Sequence, residues 1–453
     1  MIDPTIFKAY DIRGIYPDQI DEDGAYKIGR AFVDFLKIKE VAVGYDMRLS
    51  TPKLLPHLIQ GINDAGAKVI DIGLTGTELM YFSVGHFGYE SGIMMTASHN
   101  PAKYAGMKMV KAKSMPIAGD TGLMDICDLA INSNYQRTNL PKNIEKIDPF
   151  LEYKKKINEI YPIDKIKPFK VVVDAGNGMG GILVNKTFGG SALEIVPMYF
   201  EPDGSFPNHE ANPIKDENTK ELRKRVVEEK ADLGIALDGD GDRCFFVNEN
   251  GQISLGYYLV ALIVEGMLKK YPNSKIIYEN RNKWAIEDAI EKHGGIPVAT
   301  PAGFAIMRPI LMREEGAFGG ETSSHFFYKD TYYADSSMAT MAIVLGLMTD
   351  SGKKWSEILK PFRNKYFISG EINFKVDDAN KVLEKIKKHY ADIGLPIDEL
   401  DGVAVDKDRD WRFSLRKSNT EPLVRLNVEG KSQEIVDVKT KEVETLIGFA
   451  RAT

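Results

Sequence analysis

Short apolar runs alternate along the chain with stretches of helical length, and this order occurs three times. The runs consist mainly of Val, Ile, Leu, Met and Ala, a composition typical of parallel strands that are buried on both faces. In each copy the third run leads into a polar loop, and functional loops of such folds lie at the carboxyl ends of strands. The pattern therefore predicts three related α/β domains, with strands at residues 41–44, 68–73, 91–95, 170–174, 193–196, 232–237, 275–278, 296–299 and 315–318.

The pattern changes after about residue 366, where alternating strands and two amphipathic helices follow. The helices are predicted at 377–390 and 433–449, and residues 411–415 and 423–428 alternate between apolar and polar as half-buried strands do. These features indicate a small α+β fourth domain. The predicted domains are 1–147, 148–252, 253–366 and 367–453.

Charge and cysteine content narrow the class of protein. The chain has 453 residues with 59 basic and 65 acidic side chains, so its net charge of -6 offers no general attraction to nucleic acid or anionic membranes. Cys127 and Cys244 lie far apart in no metal-ligand spacing, which argues against a disulfide framework or a zinc site. The N-terminus lacks a signal-peptide pattern, and the longest apolar stretches are shorter than the ~20 residues of a membrane helix. We therefore expect a cytoplasmic protein.

An acidic loop follows the strand predicted at 232–237. Asp238, Asp240 and Asp242 are separated by single glycines, so the backbone can bend and direct three carboxylates toward one point. The alternatives are a solvated acidic turn or a calcium loop, but Arg243 stands where a calcium loop needs glycine and strands flank the segment. The loop therefore predicts a magnesium site.

Three further loops carry candidate chemistry. Ser98 lies between a strand and an Asn-Pro turn that would expose its hydroxyl, where it could carry a phosphoryl group or only serve the turn. Glu321, Ser323 and His325 alternate along a segment predicted to be extended and could bind sugar hydroxyls. A predicted hairpin tip combines guanidinium groups with hydroxyls and turn amides that suit a phosphate, through Arg416, Ser418, Asn419, Thr420 and Arg425.

A glycine-rich run offers an alternative function. Residues 176–181 read Gly-Asn-Gly-Met-Gly-Gly after a predicted strand, and Glu201 follows at the spacing of a dinucleotide-binding fingerprint. An NAD-dependent oxidoreductase is therefore a rival reading, although it explains none of the other loops.

Taken together, the loops resemble the α-D-phosphohexomutase family, from Phe-Lys-Ala-Tyr-Asp-Ile-Arg-Gly at 7–14 to residue 429. The matching motifs are Thr-Ala-Ser-His-Asn-Pro at 96–101, the aspartate loop at 238–243, residues 320–325 and residues 416–422. The chain is similar to the bacterial phosphomannomutase branch at residues 76–78, 319–321 and 410–413. The resemblance implies a four-domain heart-shaped fold in which the glycine run is a structural turn.

The resemblance also implies roles for individual residues. Ser98 would carry the phosphoryl group and, with Asp238, Asp240 and Asp242, would complete the magnesium site. Arg13 and Lys108 would stabilise charge or move protons near Ser98, and Tyr10 and Arg281 occupy further active-site positions. Arg243, Glu321, Ser323 and His325 would bind the sugar, while Arg416, Ser418, Asn419, Thr420 and Arg425 would bind the phosphate that is not reacting.

The expected reaction interconverts hexose 6-phosphate and hexose 1-phosphate, with mannose or also glucose as the sugar. A hexose 1,6-bisphosphate would be the intermediate and activator, and the enzyme would be a monomer or weak homodimer. The sequence departs from the branch at Ala105, Phe304 and Thr322, which leaves phosphoglucosamine mutase and phosphoglucomutase open. Alternatives of other classes are an aspartyl-phosphate hydrolase with Asp238 as nucleophile and a sugar-phosphate binding protein without catalysis.

Overall fold

The computed structural model describes residues 2–138, 142–418, 423–448 and 451, without the side chain of Phe304. The chain forms two compact units. The first runs through Ser254 and also includes Ser323–Ser356, and the second comprises Leu255–Thr322 together with the chain from Glu357 onward.

The first unit begins with a seven-stranded sheet ordered β1-β5-β4-β2-β3-β7, with β6 paired to β5. Strands β2, β3 and β4 are parallel, as their apolar runs predict, and β5 pairs antiparallel with β4 on one side and with β1 on the other. The elements are β1 (Ile12–Ile15), α1 (Glu22–Leu36), β2 (Glu40–Tyr45), α2 (Thr51–Asp64), β3 (Lys68–Leu74), α3 (Thr77–Phe87), β4 (Ser91–Met95), β5 (Tyr104–Lys111), β6 (Met115–Pro116), α4 (Leu123–Asn132) and β7 (Ile144–Lys146).

A four-stranded sheet ordered β11-β10-β8-β9 follows in the same unit. Strands β8, β9 and β10 are parallel, and β11 returns antiparallel to β10 directly after the aspartate loop. The elements are α5 (Phe150–Ile160), β8 (Lys170–Asp174), α6 (Gly180–Phe188), β9 (Glu194–Met198), α7 (Lys220–Glu228), β10 (Leu233–Leu237) and β11 (Cys244–Asn248). The carboxyl ends of β4 and β10 thus carry the serine loop and the aspartate loop.

The second unit contains a parallel arrangement in which β12 pairs with β13 and β14. The strand predicted at 315–318 begins later, because Glu315 adopts a left-handed turn (φ 51°) where α10 ends. The elements are α8 (Gly256–Lys270), β12 (Lys275–Glu279), α9 (Trp284–Lys292), β13 (Ile296–Thr300), α10 (Phe304–Arg313) and β14 (Phe318–Gly320). The chain then returns to the first unit with β15 (Phe326–Tyr328), β16 (Ala334–Asp335) and α11 (Ser337–Ser351), and α12 (Trp355–Arg363) follows.

The remainder of the second unit is a small α+β layer, as predicted. Strand β21 pairs with β17, β18 and β20, and β20 pairs with β19. Asp378 and Ser432 cap the two predicted helices by accepting hydrogen bonds from backbone amides of the first turn. The elements are β17 (Phe367–Ile368), β18 (Ile372–Lys375), α13 (Ala379–Asp392), β19 (Val403–Lys407), β20 (Trp411–Lys417), β21 (Leu423–Gly430) and α14 (Gln433–Ile447).

The two long apolar segments of the sequence form α8 and α11, and most of their residues are buried in the protein. Within the described parts of the chain, no helix has both the length and the apolar composition needed to cross a bilayer.

A buried carboxyl group joins three helices of the first unit. Glu78 in α3 is 1% exposed, and it lies 3.3 Å from the Ser337 hydroxyl and 3.5 Å from the Met338 amide at the start of α11. Tyr153 of α5 contacts the cap of the same helix through Ser336, at 3.0 Å. Burial raises the pKa of Glu78 to about 7, against the hydrogen bonds that would lower it.

This pKa predicts that stability falls with rising pH. Because the folded protein holds the Glu78 proton more tightly than the unfolded chain, the contribution is complete below about pH 4.5 and is lost as the pH rises through about 7, up to about 3 kcal/mol. We expect Glu78→Gln to flatten the pH dependence of the free energy of unfolding in this window, measured by denaturant titration. Glu152→Gln, an exposed change in α5, is the control, and an unchanged slope in Glu78→Gln would contradict the assignment.

Candidate active site

The serine loop follows β4 and places the Ser98 side chain in a buried position. Ser98 is 3% exposed, and its Oγ lies 3.2 Å from Asp238 Oδ2 and 3.2 Å from His99 Nδ1. Its backbone is left-handed (φ 51°), a conformation that a side chain disfavours, and its amide donates to Thr96 Oγ1 at 2.9 Å. The loop therefore presents the serine hydroxyl directly to the aspartate loop.

The aspartate loop brings three carboxylates together, as the glycine spacing predicts. Asp238, Asp240 and Asp242 are each at most 2% exposed, and one oxygen of each lies within 4.8 Å of the others. Asp240 Oδ1 and Asp242 Oδ1 are buried and have no hydrogen-bond partner among the described residues. Clustered hard oxygens with unsatisfied lone pairs suit a divalent cation such as Mg²⁺, so the residues fit the metal that the sequence predicts.

Two cations neutralise part of this buried charge. Lys108 Nζ lies 2.7 Å from Asp240 Oδ2 and 2.5 Å from Asp242 Oδ2, and Arg243 pairs with Asp238 through two nitrogens at 2.9 Å. Burial alone would lower the pKa of Lys108, but the two aspartates outweigh burial and raise it well above its usual value. Burial and the charge of Asp240 raise the pKa of Asp242. When all three acids are ionised, the three acids and two bases leave one net negative charge, which a bound cation would compensate.

The aspartate loop lies so close to its neighbours that a side chain at Gly239 would not fit. A Cβ at Gly239 would lie 2.5 Å from the Ser98 carbonyl oxygen. On the other side, a Cβ at Gly178 would lie 2.5 Å from the Gly239 carbonyl oxygen, and the Met179 amide donates to that oxygen at 3.0 Å. The glycine run at 176–181 is therefore a packing surface for the aspartate loop, which explains its composition without a dinucleotide.

Helix α3 supports the aspartate loop from a third side. The Thr77 amide donates to the Asp240 carbonyl at 3.0 Å, and the Thr77 hydroxyl donates to the Asp240 carboxylate. The Ser337 hydroxyl, which contacts Glu78, also donates to the Gly241 carbonyl at 2.5 Å. These contacts fix both the backbone and the side chains of the loop.

Other predicted residues of the first unit lie around the serine loop. Arg13 pairs with Asp11 through two nitrogens at 2.8 Å and donates to Asn100 Oδ1, and Tyr10 is half-buried. His99 accepts a hydrogen bond from Arg243 at Nδ1. Burial, with the charge of Arg243, lowers the pKa of His99 well below its usual value, so this imidazole is neutral.

The segment of Glu321, Ser323 and His325 differs from the extended conformation predicted for it. Residues 322–324 form a turn and bend, in which Ser324 adopts a left-handed conformation (φ 69°). In the first unit, His325 Nδ1 lies 2.8 Å from Asp335 Oδ2, and these two groups and Asp242 offer ligand atoms within 4.8 Å of one another. The turn thus brings the His325 imidazole close to the aspartate loop. Ser323, in the same turn, also belongs to the first unit.

In the second unit, Glu321 is 4% exposed and its Oε1 lies 3.2 Å from the Gly303 amide. Arg281 is also buried and pairs with Glu279 at 2.5 Å. Glu279 accepts hydrogen bonds from both the amide and the hydroxyl of Thr322. The hydroxyl of Thr322, one of the departures from the family pattern, therefore makes a hydrogen bond inside the protein.

Arg416 and Arg425 of the predicted phosphate loop, together with Arg281 from the loop before α9, surround the Glu371 carboxylate. Glu371 lies 2.9 Å from Arg281, 3.4 Å from Arg416 and 3.1 Å from Arg425, and Arg425 also donates to Ser418 Oγ at 3.3 Å. Burial would raise the pKa of Glu371, but the three arginines outweigh it and lower the pKa below its usual value. Three cations around one anion leave this arginine cluster positive and suited to a phosphate. Asn419 and Thr420 lie outside the described residues, as does the side chain of Phe304.

Several residues of these sites were not predicted from the sequence. Asp335 and Glu371 act through partners 10 to 90 positions away, so no local motif marks them. Thr77 had a signal, because it lies in the Gly-Thr-Glu motif at 76–78.

Comparison with known proteins identifies the family. The four domain models of the phosphoglucomutase/phosphomannomutase family match residues 4–134, 148–251, 255–366 and 371–444. A phosphomannomutase of Vibrio cholerae is 40% identical over 98% of both chains. A phosphoglucomutase/phosphomannomutase family protein of Burkholderia thailandensis has a structure with a TM-score of 0.89, 29% identity and full coverage of both chains.

A more distant structure shares the fold. It is the Aspergillus fumigatus N-acetylphosphoglucosamine mutase in complex with GlcNAc-6P and magnesium, with a TM-score of 0.61 and 13% identity over 99% of this chain and 96% of that one.

The four domain models and the 40% identical relative show that the chain belongs to the phosphoglucomutase/phosphomannomutase family. It is an enzyme of the phosphohexomutase class, with the four-domain fold of that family, and the oxidoreductase reading of the glycine run is wrong.

We expect the aspartate loop to bind Mg²⁺ in the absence of substrate. Mg²⁺ should raise the melting temperature of the wild-type protein, since a ligand of the folded state adds about 2.7 kcal/mol at 100 times its Kd. Asp240→Asn should remove most of this shift. Asp174→Asn is the matched control, because Asp174 is a buried carboxylate at a strand end that pairs with His209 at 3.0 Å. An equal Mg²⁺ shift in Asp240→Asn and wild type would contradict the assignment.

Proposed function

We propose that this enzyme interconverts hexose 6-phosphate and hexose 1-phosphate through a phosphorylated Ser98. The observation that carries the proposal is the position of Ser98 Oγ, 3.2 Å from Asp238 and within a buried group of three carboxylates. A serine hydroxyl held beside a divalent-cation site is suited to accept and return a phosphoryl group. We further propose that the chain divides into four domains at 1–147, 148–252, 253–366 and 367–453, each with one functional loop.

The first half-reaction transfers the phosphoryl group from Ser98 to the free hydroxyl of a hexose phosphate. The bond between phosphorus and Ser98 Oγ breaks, a bond from phosphorus to the hexose oxygen forms, the proton of the hexose hydroxyl passes to a base, and Ser98 Oγ takes up a proton. The products are a hexose 1,6-bisphosphate and a free Ser98 hydroxyl. In the second half-reaction, the Ser98 hydroxyl loses its proton as its oxygen bonds to the other phosphate of the reoriented bisphosphate, and the hexose oxygen that leaves this phosphate takes up a proton, so the enzyme ends as it began.

Asp238, Asp240 and Asp242 would hold the metal, together with a phosphate oxygen on Ser98. We propose Mg²⁺, which would withdraw charge from the transferring phosphoryl group when bound. Lys108 would stabilise the negative charge that develops near Ser98, because it is held beside the aspartates in the protonated form. Arg13, fixed by Asp11 and Asn100, would act in the same way from the other side of the serine loop.

The hexose proton requires a base. His325 is the candidate that the structure favours over His99, because Asp335 contacts its Nδ1 at 2.8 Å and can orient the ring. His99 Nδ1 already accepts a hydrogen bond from Arg243. Tyr10, Arg243, Glu321 and Ser323 would contribute contacts to the sugar.

The arginine cluster of the second unit would bind the phosphate that is not reacting. Arg281, Arg416 and Arg425 converge on Glu371 and keep a net positive charge, so a phosphate could draw on several guanidinium forks. Ser418, Asn419 and Thr420 would add hydroxyl and amide donors. The same cluster would serve both orientations of the bisphosphate, since each orientation places one phosphate away from Ser98.

Mannose phosphate is the proposed substrate because the Vibrio cholerae relative is a phosphomannomutase. Glucose phosphate is the second one, because the matching family also includes phosphoglucomutases. Phosphoglucosamine mutase activity is the competing specificity. A coupled assay comparing mannose, glucose and glucosamine 1-phosphates at equal bisphosphate activator decides among them. Release of inorganic phosphate without isomerisation would instead support a hydrolase, and binding of hexose phosphate without turnover would support a binding protein.

We expect Arg416→Ala to weaken retention of the intermediate. Loss of a charge-assisted hydrogen bond worth about 1.5 to 3 kcal/mol would weaken phosphate binding about 10- to 150-fold. The bisphosphate should then escape before it reorients, so the variant should release hexose 1,6-bisphosphate and depend more steeply on added activator. Both effects are measured in the coupled assay.

Arg409→Ala is the matched control for this experiment. Arg409 also belongs to the second unit, but it pairs with Asp288 and Glu287 and not with the arginine cluster. It should keep the wild-type dependence on activator. Normal turnover of Arg416→Ala with no released intermediate would remove Arg416 from phosphate binding.

A further inference from the structure

A buried arginine lies beneath the serine loop and binds the backbone that carries Ser98. Arg48 is 1% exposed and follows β2. Its NH2 group donates to the Ser98 carbonyl at 2.7 Å and to the Asn100 carbonyl at 2.6 Å. Its NH1 group donates to the Pro101 and Tyr104 carbonyls, both at 3.0 Å. One guanidinium thus binds three carbonyl oxygens of the serine loop (residues 96–101) and a fourth, that of Tyr104, at the start of β5.

The guanidinium itself is held in place. Asp46 lies 3.3 Å from Arg48 Nε and is also 1% exposed, and its Oδ1 accepts the Arg48 amide at 3.0 Å. The Asp46 amide donates to the Met95 carbonyl at the end of β4, at 3.0 Å. The Phe206 ring packs against the guanidinium, with its centroid 5.3 Å from Cζ. The ion pair is therefore anchored to the sheet on which the serine loop begins.

The backbone conformation of Ser98 explains why the serine loop needs the contact with Arg48. A left-handed backbone is disfavoured for serine, so the loop needs external contacts to hold it. The carbonyl of Ser98 points to Arg48 while its Oγ points to Asp238, on the other side of the residue. Fixing the carbonyl therefore fixes the backbone from which the Ser98 hydroxyl projects toward Asp238.

We propose that Arg48 is a positioning residue for the phosphoryl carrier: its guanidinium holds the serine loop in the conformation that directs Ser98 Oγ at the aspartate loop. The proposal rests on the proposed role of Ser98 in phosphoryl transfer. Arg48 does not contact the reacting atoms, and it acts only through the backbone of the loop.

Arg48→Lys is the most informative variant. Lysine keeps the positive charge, but an ammonium group lacks the planar fork that binds four carbonyls. We expect kcat to fall about 100-fold, as for a reacting group displaced by about 1 Å. The KM for hexose phosphate should change little, and so should the affinity of the unphosphorylated protein for Mg²⁺, because the proposed contacts of the substrate and the three aspartates lie outside the serine loop.

Hydrogen exchange measures the loop directly and without reference to activity. The Asn100 amide donates to the Ala97 carbonyl and the Tyr104 amide to the Pro101 carbonyl, both at 3.0 Å. These amides should exchange faster in Arg48→Lys, while the peptides of α1 and α2 keep their wild-type rates. Leu58→Ala, a truncation of a fully buried core side chain in α2, controls for general loss of stability.

Wild-type kcat and wild-type exchange of residues 96–104 in Arg48→Lys would overturn the proposal. So would an equal fall of kcat in Leu58→Ala, or faster exchange throughout the sheet, since either would show a merely structural role. If Arg48→Lys does not fold, Asp46→Asn tests the same contact, because it keeps the guanidinium and loosens its anchor. If the wild type shows no mutase activity, the proposed function fails, and exchange in the serine loop still decides whether Arg48 holds it.

Discussion

Three aspartates are buried side by side against one serine, and like charges at this distance repel strongly in a medium of low polarity. Lys108 and Arg243 neutralise part of the charge, and the rest favours a divalent cation. Packing must also resist the repulsion, and it does so from several sides. Thr77 binds Asp240, Ser337 binds Gly241, and Gly178 lets the backbone of a neighbouring loop close against Gly239.

The same device occurs in both units: a fully buried arginine binds backbone carbonyls beside a functional group. Arg48 binds the serine loop, and Arg412 donates to the carbonyls of Asn280 and Arg281, with Glu429 at 3.7 Å as its counterion. Arginine suits this use because its rigid fork donates several hydrogen bonds at fixed angles. In each case the arginine binds only the backbone of a residue with a role in the proposed chemistry, Ser98 or Arg281. The side chain of that residue can then make its own contacts.

Local chemistry could be predicted from the sequence, and long-range partners could not. The aspartate loop was predictable because its ligands are two residues apart, and the parallel strands because burial on both faces makes each run apolar. The antiparallel strands β5, β11 and β16 were not predicted. Lys108 interrupts the apolar residues of β5, and β16 spans only Ala334–Asp335, whereas β11 has an apolar run, Cys-Phe-Phe-Val, that directly follows the aspartate loop and was overlooked. Asp335, Glu371 and Arg48 contact residues 10 to 90 positions away, which only the fold brings together. The bend at Ser324 depends on a left-handed backbone conformation, and the residue type serine does not indicate one.

The central claim is that Ser98 carries the phosphoryl group. The most direct measurement is peptide mapping by mass spectrometry after the purified protein is incubated with Mg²⁺ and a hexose 1,6-bisphosphate. The account predicts one phosphate, stable to acid, on the peptide that contains Ser98, and the transfer of this phosphate to the hexose when hexose phosphate is added, in a turnover that phosphorylates Ser98 again. An alkali-labile phosphate on Asp238, or no phosphorylated peptide in a protein that still isomerises hexose phosphates, would contradict it.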